Sequence, residues 1–311
     1  MELFSLPPDE LEQRREELNA ALDELVDRGE PEPALEAERA LVVFWMTKGL
    51  LDEGRRHLER LLSVGDPPAN LRAAGLAGAG VLAFRQGDDE TARHLFEESA
   101  ELARSSGDDA ALMLAINGLS RVELRAGNPA RTRELARQSL ELASGEAAEY
   151  SPRHMLAAAA RAEREYARAE ELYGETLALA RRLGLLAPEA GELLNLGYVA
   201  LHLGKADLAI ERFAQSLELA ADLKDEYLLP YCVMGAASSA FARGDTEEGA
   251  RLLAAVKAAF DRTGAAIDPG SAEEYEAAVA SIGHDYESAW AEGSKLSLDE
   301  AVARAQRARP A

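Results

Sequence analysis

The side chains able to do chemistry are few and dispersed. The histidines His57, His94, His154, His202 and His284 include no two at a spacing of three or four residues, which would set both on one helical face around a metal ion. The single Cys232 has no partner for an intramolecular disulfide, and no Cys/His cluster shows metal-ligand spacing. Gly118-Leu119-Ser120-Arg121-Val122 comes nearest to a nucleophile elbow. It lacks the second glycine and falls inside a helical pattern instead of at a strand-to-helix turn. Ser238-Ser239 likewise sits mid-helix. Neither paired catalytic carboxylates nor a Gly-rich phosphate loop ending in Gly-Lys-Ser/Thr occurs as a motif. The expectation is a protein that is not an enzyme and uses no metal and no cofactor.

Without a reacting centre, function must lie in what the scaffold presents. Of the 311 residues 47% are apolar but only 5% aromatic, and alanine and leucine dominate, as close-packed helices require. Asp and Glu number 56 against 34 Lys and Arg, a net charge of −22 that repels a phosphate backbone, and no basic helix-turn-helix is present. Direct nucleic-acid binding is therefore not expected. The start MELFSLPPDELEQRREEL lacks the basic-then-apolar pattern of an export signal, and no apolar run reaches the roughly 20 residues that span a bilayer. These features, with one cysteine, point to the cytoplasm and to no membrane contact.

Short turns between helical patterns recur at Gly49, Gly87, Gly127, Arg164, Gly204 and Gly244, at intervals of 38, 40, 37, 40 and 40 residues. Five residues after each turn stands a mostly small side chain: Gly54, Ala92, Thr132, Ala169, Ala209, Gly249. Four residues later comes a bulky one, Leu58, Phe96, Tyr173, Phe213 or Leu253, with Ala136 the exception. Four residues is about one helical turn, so small and bulky groups share one buried stripe. Glycine suits the left-handed end of a helix, and Asp88, Asn128 and Asp245 follow as expected N-caps. Arg164 breaks the glycine rule.

The spacing predicts a leading helix and linker over residues 1–33, with the helix from Leu11 to Arg28. Six hairpins are expected over 34–264, and C-terminal capping helices over 265–311. Ser297 and Glu300 read as a capping box for the last helix. Trp45 and Trp290 are expected to plug the two end layers.

These residues resemble the tetratricopeptide family, most plainly in LGYVALHLGKADLAIERFAQSLELA from Leu196 and GVLAFRQGDDETARHLFEESAELA from Gly80. The long period, the segment from Leu11 and the stretch EYEAAVASIGHDYESAWAEGSKLSLDEAVARA from Glu274 are similar to the C-terminal helical-repeat region of large ATP-dependent bacterial transcriptional regulators. Those are LuxR-type, antibiotic-pathway and maltose-regulon activators. The resemblance implies an all-α fold, a right-handed α-solenoid of helix hairpins with capping helices. Whether the chain stands alone or is a piece of such a regulator is left open, since SLPPDELEQ fits a linker remnant or a native start.

In such solenoids the first helix of each hairpin lines a concave groove. Projected onto this chain, the groove positions are Arg85; then Asn117, Arg121 and Arg125; His154 and Arg161; Asn195, Tyr198 and His202; and Tyr231, Ser238 and Phe241. His154 and His202 would face each other if their hairpins are neighbours. On an acidic chain these positions carry Arg, His, Asn and Tyr and almost no carboxylates, a local field that attracts an acidic peptide or partner. The arginines could equally pair with neighbours such as Glu123 and Glu163. The functional expectation is a regulatory protein-protein interaction module, with a small-molecule effector sensor as the alternative. For the latter an aromatic pocket near Tyr198, Tyr231 and Phe241 is the requirement.

Overall fold

A computed structural model describes residues 3–280, 282 and 286–307. Among them every regular element is a helix. The chain divides into two compact units.

The first unit comprises the described residues up to Met155 together with Gly264–Ala266. Its leading segment forms α1 (Pro8–Gln13) and α2 (Arg15–Arg28), not one helix, because Arg14 leaves helical geometry at φ −109°, ψ 24°. Leu11, Leu18 and Leu22 are all fully buried. The first hairpin pairs α3 (Glu32–Glu36) and α4 (Glu38–Thr47) with α5 (Leu51–Leu62). The next two are α6 (Ala69–Arg85) with α7 (Asp89–Ser106), and α8 (Asp109–Arg125) with α9 (Pro129–Leu142). α10 (Glu146–Ala162) begins the fourth.

The second unit takes Leu156–Thr263 and the described residues from Ile267 on. The end of α10 pairs with α11 (Tyr166–Leu183), α12 (Leu186–His202) with α13 (Ala206–Leu223), and α14 (Leu229–Ala242) with α15 (Thr246–Thr263). Three helices follow: α16 (Pro269–Ala280), α17 (Glu287–Gly293) and α18 (Leu298–Arg307).

The turns explain the hairpins. Gly87 at φ 79° donates its N–H to Phe84 O (3.0 Å), and Asp88 N–H reaches back to Ala83 O (3.0 Å). The Asp88 carboxylate then accepts from Thr91 N–H, capping α7. Arg164 adopts the same left-handed geometry (φ 60°) with the same pair of backbone bonds, to Arg161 O and Ala160 O. Its Cβ crowding costs about 1–2 kcal/mol that glycine would not incur. Asp245 caps as its sequence suggests, accepting from Glu248 N–H. Asn128 does not: its amide donates to Glu123 Oε2 (2.8 Å), and Pro129 starts the helix without a side-chain cap.

Stacking between hairpins depends on an aromatic wedge. Phe96 of α7 is buried between Gly80 of α6 and Gly118 of α8, where an added Cβ would stand 2.8 and 2.4 Å from its ring. In the second unit Phe213 of α13 sits the same way between Gly197 of α12 and Gly235 of α14, at 2.4 and 2.6 Å. A hydroxyl ladder accompanies it. Ser99 donates to Ala73 O (2.8 Å), Ser139 to Met113 O (3.2 Å) and Ser216 to Ala190 O (2.7 Å).

The ends are sealed differently. Trp45 is fully buried and lies over Gly54, where a Cβ would meet its indole at 2.5 Å. At the other end α17 packs on α15, and α18 packs on α13, α14 and α15. Arg304 of α18 grips Glu248 at 2.6 Å, and Arg251 joins it at 2.8 Å. The Ser297–Glu300 capping box forms in both directions. Trp290 is half-buried.

Gly197→Ala is expected to destabilise the fold by about 1–3 kcal/mol through overpacking against Phe213. Adding Phe213→Leu should return part of that loss. Urea denaturation of the single and double variants measures both.

Candidate functional site

In the second unit a buried polar cluster joins the first helices of two hairpins, α10 and α12. The last turn of α10 supplies Arg161, whose side chain is only 6% exposed. Its guanidinium donates from Nη1 to Asn195 Oδ1 of α12 (2.9 Å) and stands 5.1 Å from the centroid of the Tyr198 ring. Tyr173 of α11, also buried, completes the wall. Tyr198 meets Phe213 edge-on at 4.9 Å, tying this wall to the aromatic wedge.

The counter-charge comes from α16. Glu274 Oε1 pairs with Arg161 Nη2 and lies 3.2 Å from His202 Nε2. His202 in turn stacks on Tyr166 with centroids 4.3 Å apart and planes within 7°. Burial works against the Arg161 charge, but the Glu274 carboxylate outweighs it and the guanidinium pKa rises. Burial likewise favours the neutral acid of Glu274, yet Arg161, with help from His202, holds its pKa below the ordinary value. Burial raises the pKa of the Tyr173 and Tyr198 phenols, so both stay neutral.

Two further acids of the same segment are held. Asp268 Oδ2 accepts from the Tyr227 hydroxyl (2.6 Å), and Asp268 N–H donates to the Tyr231 hydroxyl (2.9 Å). Glu273 pairs with Arg164 at 2.6 Å on the surface. The arrangement is a carboxylate-binding face of cations, imidazole and phenols.

Of the groove positions read from the sequence, Arg161, Asn195, Tyr198 and His202 converge here. Tyr231 meets Asp268, and Ser238 stands beside the Tyr198 hydroxyl. Phe241 instead packs over Gly249 inside its own hairpin. In the first unit Arg125 is a clamp between hairpins. It bonds Phe84 O and Asp89 at 2.6 Å each and lies 3.6 Å over the Phe84 ring. Arg85 is buried, and Asn117 donates to Ser151 Oγ (2.7 Å). Arg121 is half-buried in α8, and His154 stacks on Tyr150. Glu123 pairs with Arg93 at 2.6 Å, not with a groove arginine.

Nucleophiles offer little. Burial pushes the Cys232 thiol up to about 12, beside Ser216 Oγ at 3.2 Å. Ser120 is fully buried and donates to Asn117 O (2.7 Å). Among the described residues no group of three or more His, Cys, Asp or Glu side chains could hold a metal ion, and no helix is long and apolar enough to cross a membrane. His284 lies outside the described residues.

Sequence reasoning passed over Glu274, Asp268, Tyr166 and Tyr227. The available signal was the run Asp268-Pro269-Gly270-Ser271-Ala272-Glu273-Glu274, an acidic helix start directly after a breaker.

The fold these units share is tetratricopeptide-like, an all-α repeat of helix hairpins. Among solved structures, the chain is similar to a Rap protein complexed with competence and sporulation factor. The TM-score is 0.58 at 13% identity, over 87% of this chain and 80% of that one. It is also similar to aspartyl phosphate phosphatase F from Bacillus subtilis, with TM-score 0.51 and 11% identity over 85% and 73%. A third likeness is to BtubC (BKLC) from P. vanneervenii, with TM-score 0.51 and 16% identity over 66% and 90%. The sequence matches no family model and no curated protein.

Because Glu274 has a depressed pKa in the fold, its contribution to stability is complete above the ordinary glutamate value of 4.5 and is lost as pH falls through the lower folded value. Denaturation curves between about pH 3 and 6 should show this limb, and Glu274→Gln should flatten it. Arg161→Ala is expected to cost about 3–5 kcal/mol, because Glu274 is left buried without its partner. Arg161→Met combined with Glu274→Leu should recover most of the loss, as read by thermal unfolding.

Proposed function

We propose that the chain is a non-catalytic, regulatory protein-protein interaction module whose groove face takes an acidic segment of a protein partner. The observation that carries this reading is the Arg161–Asn195–Tyr198–His202 cluster, a preformed receptor that already holds a carboxylate. Buried, hydrogen-bonded cations of this kind select carboxylates by geometry as well as by charge. Arg121 and Asn117 extend the same chemistry in the first unit, while Arg125 and Phe241 serve packing. The working division is a leading cap over 1–33, hairpins over 34–264 and a C-terminal region over 265–311.

The resemblance to the helical-repeat region of ATP-dependent transcriptional regulators supports a regulatory role in the cytoplasm, through protein contact and not through nucleic acid. A net charge of −22 agrees with that. One structural neighbour is named as a complex with a competence and sporulation factor, which is in keeping with a groove that takes a regulatory partner. The phosphatase name of another does not carry over, since 11% identity speaks to fold alone and Cys232 and Ser120 are sealed. Beside Tyr231 the chain's own Asp268 is held, and Glu274 is held on Arg161 beneath Tyr198. That favours a partner able to replace carboxylates over a small apolar effector.

Affinity capture with the full chain, followed by identification of the bound protein and a salt titration, tests the reading. A partner retained by the wild-type chain should be lost in Arg121→Glu, while salt, which screens the long-range repulsion more than buried pairs, should weaken retention little. Retention indifferent to that charge reversal would sink it.

A further inference from the structure

The helices after the last hairpin are held in two different ways. α18 buries Ala301, Val302 and Ala305, and α17 buries Ala289, so both are anchored by apolar contact as end caps are. α16 is not: the only buried residue of this helix is Ser271. Ala272, Tyr275, Ala278 and Val279 are only half-buried, and the specific bonds are polar. The Asp268 carboxylate accepts from Tyr227 while its N–H donates to Tyr231, Glu273 pairs with Arg164, and Glu274 with Arg161 and His202.

A segment with one fully buried residue, half-buried apolar side chains, and acids that meet Arg161, His202 and Tyr227 has the contact pattern of a bound peptide. We infer that residues 267–280 are a built-in occupant of the second unit's groove and that the protein's partner is an acidic helical segment that takes their place. The partner carries a carboxylate at the start of its helix, where Asp268 meets the tyrosines, and another two turns or so on, where Glu274 meets Arg161. This rests on the acidic-partner reading above and adds that the groove is closed to the partner until α16 leaves. Exchange is chemically balanced: each carboxylate withdrawn from Arg161, His202 and Tyr227 is replaced by another, so the buried guanidinium never stands without a counter-ion. Wild-type affinity is then reduced by the fraction of molecules in which α16 is docked.

The test uses the full chain and one probe, a synthetic peptide copying residues 266–280, with its Glu274→Gln form as control. Hydrogen exchange over α16 is followed as the probe is added. The expected result is faster exchange in Pro269–Ala280 on probe binding, and binding at least about tenfold tighter to the Glu274→Gln protein than to wild type. The control peptide should bind more weakly to both. Should Glu274→Gln fail to fold, Asp268→Asn loosens the segment at Tyr227 without unpairing Arg161 and carries the same comparison. Equal affinity for both proteins, with exchange in α16 unchanged on binding, overturns the occupant inference and leaves the groove reading standing. A protein whose α16 exchanges freely but binds no probe overturns both.

Discussion

An aromatic ring seated on two glycines sets the spacing of this fold. Phe96 between Gly80 and Gly118, and Phe213 between Gly197 and Gly235, bring one second-arm helix and two first-arm helices to a separation that any Cβ at the glycines would forbid. Interiors packed at crystal-like density do not absorb a misplaced methyl, so the wedge fixes how the first arms are placed relative to one another. The hydroxyls of Ser99, Ser139 and Ser216, recurring with the turns, each bond a first-arm carbonyl, and Ser99 and Ser216 do so on the helices that carry the wedges. Position on the groove side is thus decided by packing on the opposite side.

That placement is what makes a buried arginine tolerable. Arg161 could not remain charged at 6% exposure on a flexible surface, because isolated burial of an ion costs several kcal/mol. Here the last turn of α10 delivers it between Asn195, Tyr198 and Tyr173, each fixed by hairpin packing, and Tyr198 touches the Phe213 wedge directly. Geometry good enough to offset desolvation is available only because the supporting side chains are not free to move. The site and the wedge are therefore one construction.

Legibility follows from the range of the interactions. Helix ends and hairpin turns were readable because a left-handed residue and a cap are local, and the small-then-bulky stripe repeats with the turns. Asn128 shows the limit even there, since its amide found Glu123 instead of the backbone, a choice set by which acid lies nearest. The breaks at Arg14 and Ala37 were unreadable because neither arginine nor alanine is a helix breaker. Arg161, Asn195, Tyr198 and His202, projected onto one face from the sequence, do lie together, but Arg125 has the composition of a groove arginine and the task of a clamp. Glu274 was missed because nothing local marks it: its meaning lies in Arg161, far back in the chain, and an acidic terminal helix reads by default as a cover.

On the acidic-partner proposal, charge balance would give the groove its selectivity. A chain of net charge −22 repels an acidic partner at long range, yet at physiological salt that field fades within about 8 Å. Attraction then operates only at contact, where Arg161, His202 and the phenols are spaced for carboxylates set apart along a helix. A loose polyanion gains little, because it feels the repulsion without matching the geometry. A tethered acid such as Glu274 has the advantage of high effective concentration. A free segment must compensate with contacts that α16 lacks, and apolar ones are what it lacks most. On the same proposal, the attachment of α16 sets the threshold a partner has to exceed: strong enough to keep Arg161 paired, weak enough that a better-packed acidic helix prevails.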